Sequence, residues 1–244
     1  MNPKLLPAIL LSALSLLCIA VVMRGLQLVL RRTAFTAARR NRIWIGTWIS
    51  VTAWVALIGV LAINGFFADF STIPPRPVFM ILIPLLGFIA IAFSATGSEI
   101  IKAMPPHWLV GMQSFRILVE LLLWRAFLDN LLPIQMTFEG SNFDGLSGLL
   151  AVPVAMLLMR KWIPQLVLFF NIAGLLLLIN ILLIAILSMP TRFRYFTNEP
   201  PNTLIGEFPF VYLGAVLVAI ALGLHIFSLR QWWLLRKEAM LARA

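Results

Sequence analysis

The chain has 244 residues, of which 61% are hydrophobic and only 11% charged. A soluble domain carries about 25% charged residues, so a water-soluble enzyme or nucleic-acid-binding module is excluded. The net charge of +10 is then the charge that orients membrane helices, not a surface for phosphodiesters.

Several uninterrupted apolar runs approach the ~20 residues a helix needs to cross ~30 Å of hydrocarbon. They lack the period-two alternation of an outer-membrane barrel. The predicted fold class is therefore all-α, a single-domain polytopic bundle of seven transmembrane helices. The lone Cys18 lies in an apolar run, which rules out an intrachain disulfide.

The first span, about 5–23, follows Lys4 and ends at Arg24; no small-residue cleavage site follows Ala20, so it reads as a retained helix, not a signal peptide. Next comes RRTAFTAARRNR, residues 31–42, with five arginines and no acid. This stretch is a topology anchor, or alternatively a site for an anionic lipid headgroup. The second span is about 43–67, closed by the proline-rich ADFSTIPPRP. The third runs about 78–96, and SEIIKAMPPH connects it to the fourth, about 109–128.

The fifth span, about 146–159, contains Pro153 and is short for a full crossing. Arg160, Lys161 and Trp162 turn the chain into the sixth span, about 163–189, and the seventh is about 208–229. The remaining 230–244 reads as an amphipathic interfacial tail.

Alternate connections then fall on opposite sides. One side collects twelve of the nineteen Lys and Arg, the other four. The positive-inside rule places the N-terminus outside and the C-terminus inside the cytoplasmic (inner) membrane. Six tryptophans fall near the inner interface, while Asp69, Asp129, Glu139, Asp144, Glu199 and Glu207 fall outside.

The chemistry concentrates on the fourth span and the loop after it. Gln113, Arg116 and Glu120 stand at i, i+3 and i+7, within an arc of about 60° on a helix. Arg116 and Glu120 are i, i+4 neighbours able to pair, close to the middle of a span where an isolated charge costs about 2.5–3.5 kcal/mol. Arg125 lies on the opposite face and is expected to reach outward. Candidate neighbours are Asn64, Asn171, Asn180 and His225; Asn171 and Asn180, nine residues apart, face opposite ways. In the outer loop, Asp129, Glu139, Asn142 and Asp144 could serve as cation ligands or paired acid–base carboxylates, or Asn142 or Asp144 could simply cap the fifth helix. His107 and His225, the only histidines, raise the further option of a shared haem or metal. The cofactor is otherwise unknown.

The seventh span has no lysine for retinal, and FSATGSE is no receptor signature. Pro164-Gln165 is a single copy of a transporter dipeptide. No phosphate-binding Gly-rich loop, HExxH or GxSxG occurs. The segments FRILVELLLW (115–124), MTFEG-S-NFD (136–144), FNIAGLLLLINILLIAILS (170–188), FR-YF-NEPPN (193–202) and ALGLHIFSL (221–229) together resemble a widespread family of uncharacterised bacterial seven-helix membrane proteins. That resemblance implies the fold and a bacterial source, and carries no activity.

The leading expectation is a carrier or sensor for a small solute or proton, centred on Arg116 and Glu120 with Gln113, Asn171 and His225 around them. It requires an opening that reaches Glu120. A structural or assembly partner of another membrane subunit would instead turn the Gln113/Arg116/Glu120 arc toward lipid. An outer-face enzyme would bring Glu139 and Asp144 together in an open cleft. The bilayer itself is the partner common to all three, and nucleic acid belongs to none.

Overall fold

The computed structural model describes residues 2–242, and these are all-α, with no strand among them. Nine α-helices follow in order. They are α1 (Leu5–Leu30), α2 (Ala37–Ile63), α3 (Phe79–Phe93), α4 (Ala95–Ala103), α5 (Pro106–Gly111), α6 (Phe115–Leu128), α7 (Gly145–Arg160), α8 (Pro164–Leu187) and α9 (Ala219–Leu241). Five stretches are long and apolar enough to cross a membrane: Leu5–Leu30, Ala37–Ile63, Arg76–Phe93, Pro164–Leu187 and Leu213–Leu241. The remaining apolar segments are shorter or broken.

Several boundaries differ from the sequence reading. The first helix runs through Arg24, whose guanidinium donates to Gln27 Oε1 at 2.7 Å. The second begins inside the arginine run, because Thr36 caps it by accepting from Arg39 N. It ends at Asn64–Gly65, where Gly65 adopts φ +73°, a left-handed conformation suited to glycine. The third stops at Phe93. Ser94 then starts α4 by accepting from Gly97 N at 2.9 Å, so much of the expected connector is helix.

The segment expected as the fourth span is broken. It starts at Pro106 and passes through a 3-10 turn, Met112–Ser114, before α6 resumes. The expected tail is no separate segment but the continuation of α9, tied down by Gln231 Nε2 donating to Ile101 O (2.7 Å) and Met104 O (2.6 Å). Residues 243–244 of that tail lie outside the described part. Just upstream of α9, Leu213–Val218 is a π-helical stretch.

Helix α9 is the most buried of the long apolar segments, while α2 and α3 expose most of theirs. Leu14 of α1, Leu123 of α6, Leu178 of α8 and Leu217 meet in the largest apolar cluster. At one end of the bundle Lys4 pairs with Glu207, and Gln135 links Ser188 to Asn198. At the other, Arg39 reaches Thr96 and Lys102 pairs with Glu238.

Helix α7 runs antiparallel to α5 and α6 at close range. A Cβ on Gly111 would lie 3.2 Å from Ala155, one on Gly148 2.8 Å from Ile117 N, and one on Gly145 3.2 Å from Glu120 Cγ. The first turn of α7 is therefore level with Glu120, two turns short of the end of α6. The loop 129–144 must descend into the bundle to reach it. Irregular backbone at that depth is tolerated only where protein surrounds it. Accordingly Gln135, Met136, Thr137, Asn142 and Asp144 are all buried.

Candidate functional site

The descending loop delivers Asp144 to Arg116. The guanidinium is 2% exposed and is enclosed by three helices. Its Nε donates to Asp144 Oδ2 at 2.8 Å, and Nη2 donates to Asp144 Oδ1 and to Gly174 O of α8. Nη1 lies 3.0 Å from His225 Nε2 on α9. An arginine can only donate, so Nε2 accepts and the imidazole proton sits on Nδ1. That proton is donated to Asn171 Oδ1 at 2.9 Å. Asn171 Nδ2 in turn donates to Val167 O and Ser228 Oγ, both at 2.8 Å.

The sequence-based pairing of Arg116 with Glu120 is thus corrected: the arginine's ion pair is with Asp144. The guanidinium engages both Asp144 oxygens in a two-bond fork, while Glu120 is held by Asn142 instead. Asp144 also sits at the N-cap position of α7, where the helix dipole favours an anion, although its side chain makes no capping hydrogen bond. Glu120 turns to the same loop, accepting from Asn142 Nδ2 at 2.5 Å. Asn142 donates to Met136 O as well, and its Oδ1 accepts from Asp144 N at 3.0 Å. Asn142 therefore folds the loop under both acids.

Gln113 belongs to the same face, donating from Nε2 to Ala221 O of α9 at 3.1 Å. Three buried polar atoms here have no protein partner: Gln113 Oε1, Glu120 Oε1 and Ser147 Oγ. Small residues permit the convergence. A Cβ on Gly174 would stand 2.6 Å from His225 Cε1, and one on Gly148 3.3 Å from Arg116 Cβ.

Of the expected site residues, Gln113, Arg116, Glu120, Asn171 and His225 meet with Asn142 and Asp144. Asp129 and Glu139 do not. Asp129 pairs at 2.7 Å with Arg125, whose side chain is half exposed. Glu139 accepts from Trp124 Nε1 at 2.8 Å in an exposed position. Paired carboxylates at Glu139 and Asp144 are thereby ruled out, since one is at the surface and the other is bound to buried Arg116. Asn64 bonds back to its own helix, and Asn180 holds Ser141 O of the loop. A cofactor shared by the histidines finds no support: both nitrogens of His225 are engaged, and the His107 ring packs edge-on against Trp108. Among the described residues no cluster of three or more His, Cys, Asp or Glu could hold a metal.

The arc faces its own bundle, contrary to the lipid-facing geometry an assembly surface would need. The 540 Å³ cleft beside α2 is not lined by Arg116, Glu120, Asp144 or His225. Sequence reasoning missed Ser147, Ser228 and the glycines 145, 148 and 174; the small-residue spacing of Gly145-Leu-Ser-Gly148 was the available signal. Comparison with family models, curated proteins and solved structures finds no match to this chain.

Proposed function

We propose that the chain crosses the bacterial cytoplasmic membrane seven times, N-terminus outside and C-terminus inside, and acts as a carrier or sensor for a proton or small solute. Its working groups are Arg116, Asp144, Glu120 and His225, held in a closed arrangement. The topology is supported by the charge asymmetry of the connections and by the ties that gather alternate connections at the same ends. Residues 106–128 together measure about 35 Å at 1.5 Å per residue, enough for a crossing despite the 3-10 turn.

The observation that carries the functional reading is the charge balance at the centre. Two buried acids, Asp144 and Glu120, face one buried cation, Arg116, and a neutral histidine. An unmatched charge in such surroundings is costly enough that the group takes up a proton instead. The N-terminus of α7 offsets part of the second negative charge. A helix beginning at membrane depth and a 3-10 break next to ionisable groups are also backbone irregularities that transport sites use.

The test is proton flux into vesicles carrying the purified protein and a trapped pH dye, under an imposed potential, together with hydrogen exchange of residues 134–147 across pH. Glu120→Gln should abolish the flux, or the pH dependence of loop protection, with the fold intact. Flux and protection that ignore both pH and the substitution would refute this reading. The burial of Arg116 favours a second one, a permanent clamp fixing the loop in the bundle, and that same result would support it.

A further inference from the structure

A second site lies away from this network. Buried residues of α2 are confined to Ile58, Gly59 and Ala62 near its C-terminal end. There Tyr212 Oη donates to Val55 O at 3.1 Å, and Trp54 Nε1 donates to Ala215 O at 3.0 Å. From residue 57 back to 37 no residue is buried. Over this stretch the helix stands off α3 and α9, and its N-terminal part rejoins the bundle where Ile43 and Trp44 pack against Val29, Leu30, Phe35 and Ile100 and Arg39 reaches Thr96. The wedge between is a cleft of about 540 Å³, within the ~300–1,000 Å³ range of ligand sites.

Its walls suit a hydrocarbon chain. Thr47 and Ser50, the polar residues that α2 contributes, return their hydroxyl protons to Ile43 O and Gly46 O of their own helix. The rest of the wall is almost wholly apolar, with Leu26, Ile91 and Phe227 among its members. Gly25 of α1 also lines it, and a Cβ there would meet nothing within 4 Å. The mouth is basic. Thr96 and Trp108, both on the wall, carry the guanidinium groups of Arg39 (2.9 Å) and Arg32 (5.2 Å to the ring centroid). Among the described residues neither arginine has a carboxylate partner. Both belong to the stretch 31–42, which holds five arginines and no acid.

We infer that this cleft is a specific site for an anionic phospholipid, one acyl chain lying between α1, α2, α3 and α9 and the phosphate held by Arg32 and Arg39. An apolar slot would serve any greasy molecule. Two unpaired arginine forks at its rim, each matched to bidentate phosphate binding, select a charged amphiphile. Membrane surfaces rich in such lipids attract basic clusters of this kind.

The delipidated full chain, titrated in neutral micelles with dioleoyl phosphatidylglycerol or dioleoyl phosphatidylcholine, should retain one phosphatidylglycerol in preference to phosphatidylcholine by native mass spectrometry. Gly25→Phe fills open space in the cleft and should lower that retention at least tenfold while leaving thermal unfolding unchanged. Ser50→Phe, on the opposite wall, should do the same, so the result does not hang on one variant's folding. Arg32→Gln with Arg39→Gln should bring phosphatidylglycerol down to the level of phosphatidylcholine. Equal retention of both lipids by the wild type, unmoved by either phenylalanine, would mean ordinary boundary lipid and overturn the inference. So would loss on filling the cleft with no effect of the arginines, or a neutral isoprenoid outcompeting phosphatidylglycerol.

Discussion

Removing Arg116 should cost more than removing its partner. In Arg116→Met the unbranched apolar stem is kept, but Asp144 loses both guanidinium donors and Glu120 remains beside it. Breaking a buried pair from one side costs about 3–5 kcal/mol. An interhelical hydrogen bond in a membrane protein averages only about 0.6 kcal/mol, so the stranded charge sets the scale. In Asp144→Asn the arginine keeps Gly174 O and His225 Nε2, and Glu120 lies one turn away as a replacement anion. That variant should lose about half as much. Adding Arg116→Met to Asp144→Asn should then be less damaging than the two single costs added, by about 2 kcal/mol, because neither charge of the pair is left alone. Equilibrium unfolding in mixed micelles, followed by tryptophan fluorescence, measures all four species. The reasoning fails if Asp144→Asn proves the worse single change, or if both singles cost under about 1 kcal/mol.

Gly174→Ala should destabilise by about 1–3 kcal/mol, since its methyl would stand 2.6 Å from His225 Cε1 in a packed interior; a melting temperature unchanged from wild type would contradict the packing described around the imidazole.

The polar arc of the expected fourth span was readable because helical spacing alone places Gln113, Arg116 and Glu120 on one face, and an apolar run makes such residues conspicuous. Their partners were harder to read. Asn171 and His225 could be nominated as lone polar residues in apolar runs, but not as a chain in which one histidine nitrogen accepts and the other donates. That depends on helix rotation, which glycines 148 and 174 permit without announcing it. The arginine's true partner was obscured for a different reason. Asp144 stands 28 residues along the chain from Arg116, in a stretch whose composition reads as an exposed turn.

Yet one clue pointed inward. Helix α7 has 16 residues, about 24 Å at 1.5 Å per residue, against roughly 30 Å of hydrocarbon. In the proposed topology a helix too short to cross, anchored at its far end by Arg160 and Lys161, would begin below the opposite surface. Whatever precedes it then starts at depth too. An acid at its N-cap position is therefore a buried acid, and a buried acid needs either a cation within reach or a proton. On the neighbouring span the cation away from the rim is Arg116, since Arg125 is taken by Asp129. The shortfall in helix length and the stray arginine are two signs of a single arrangement.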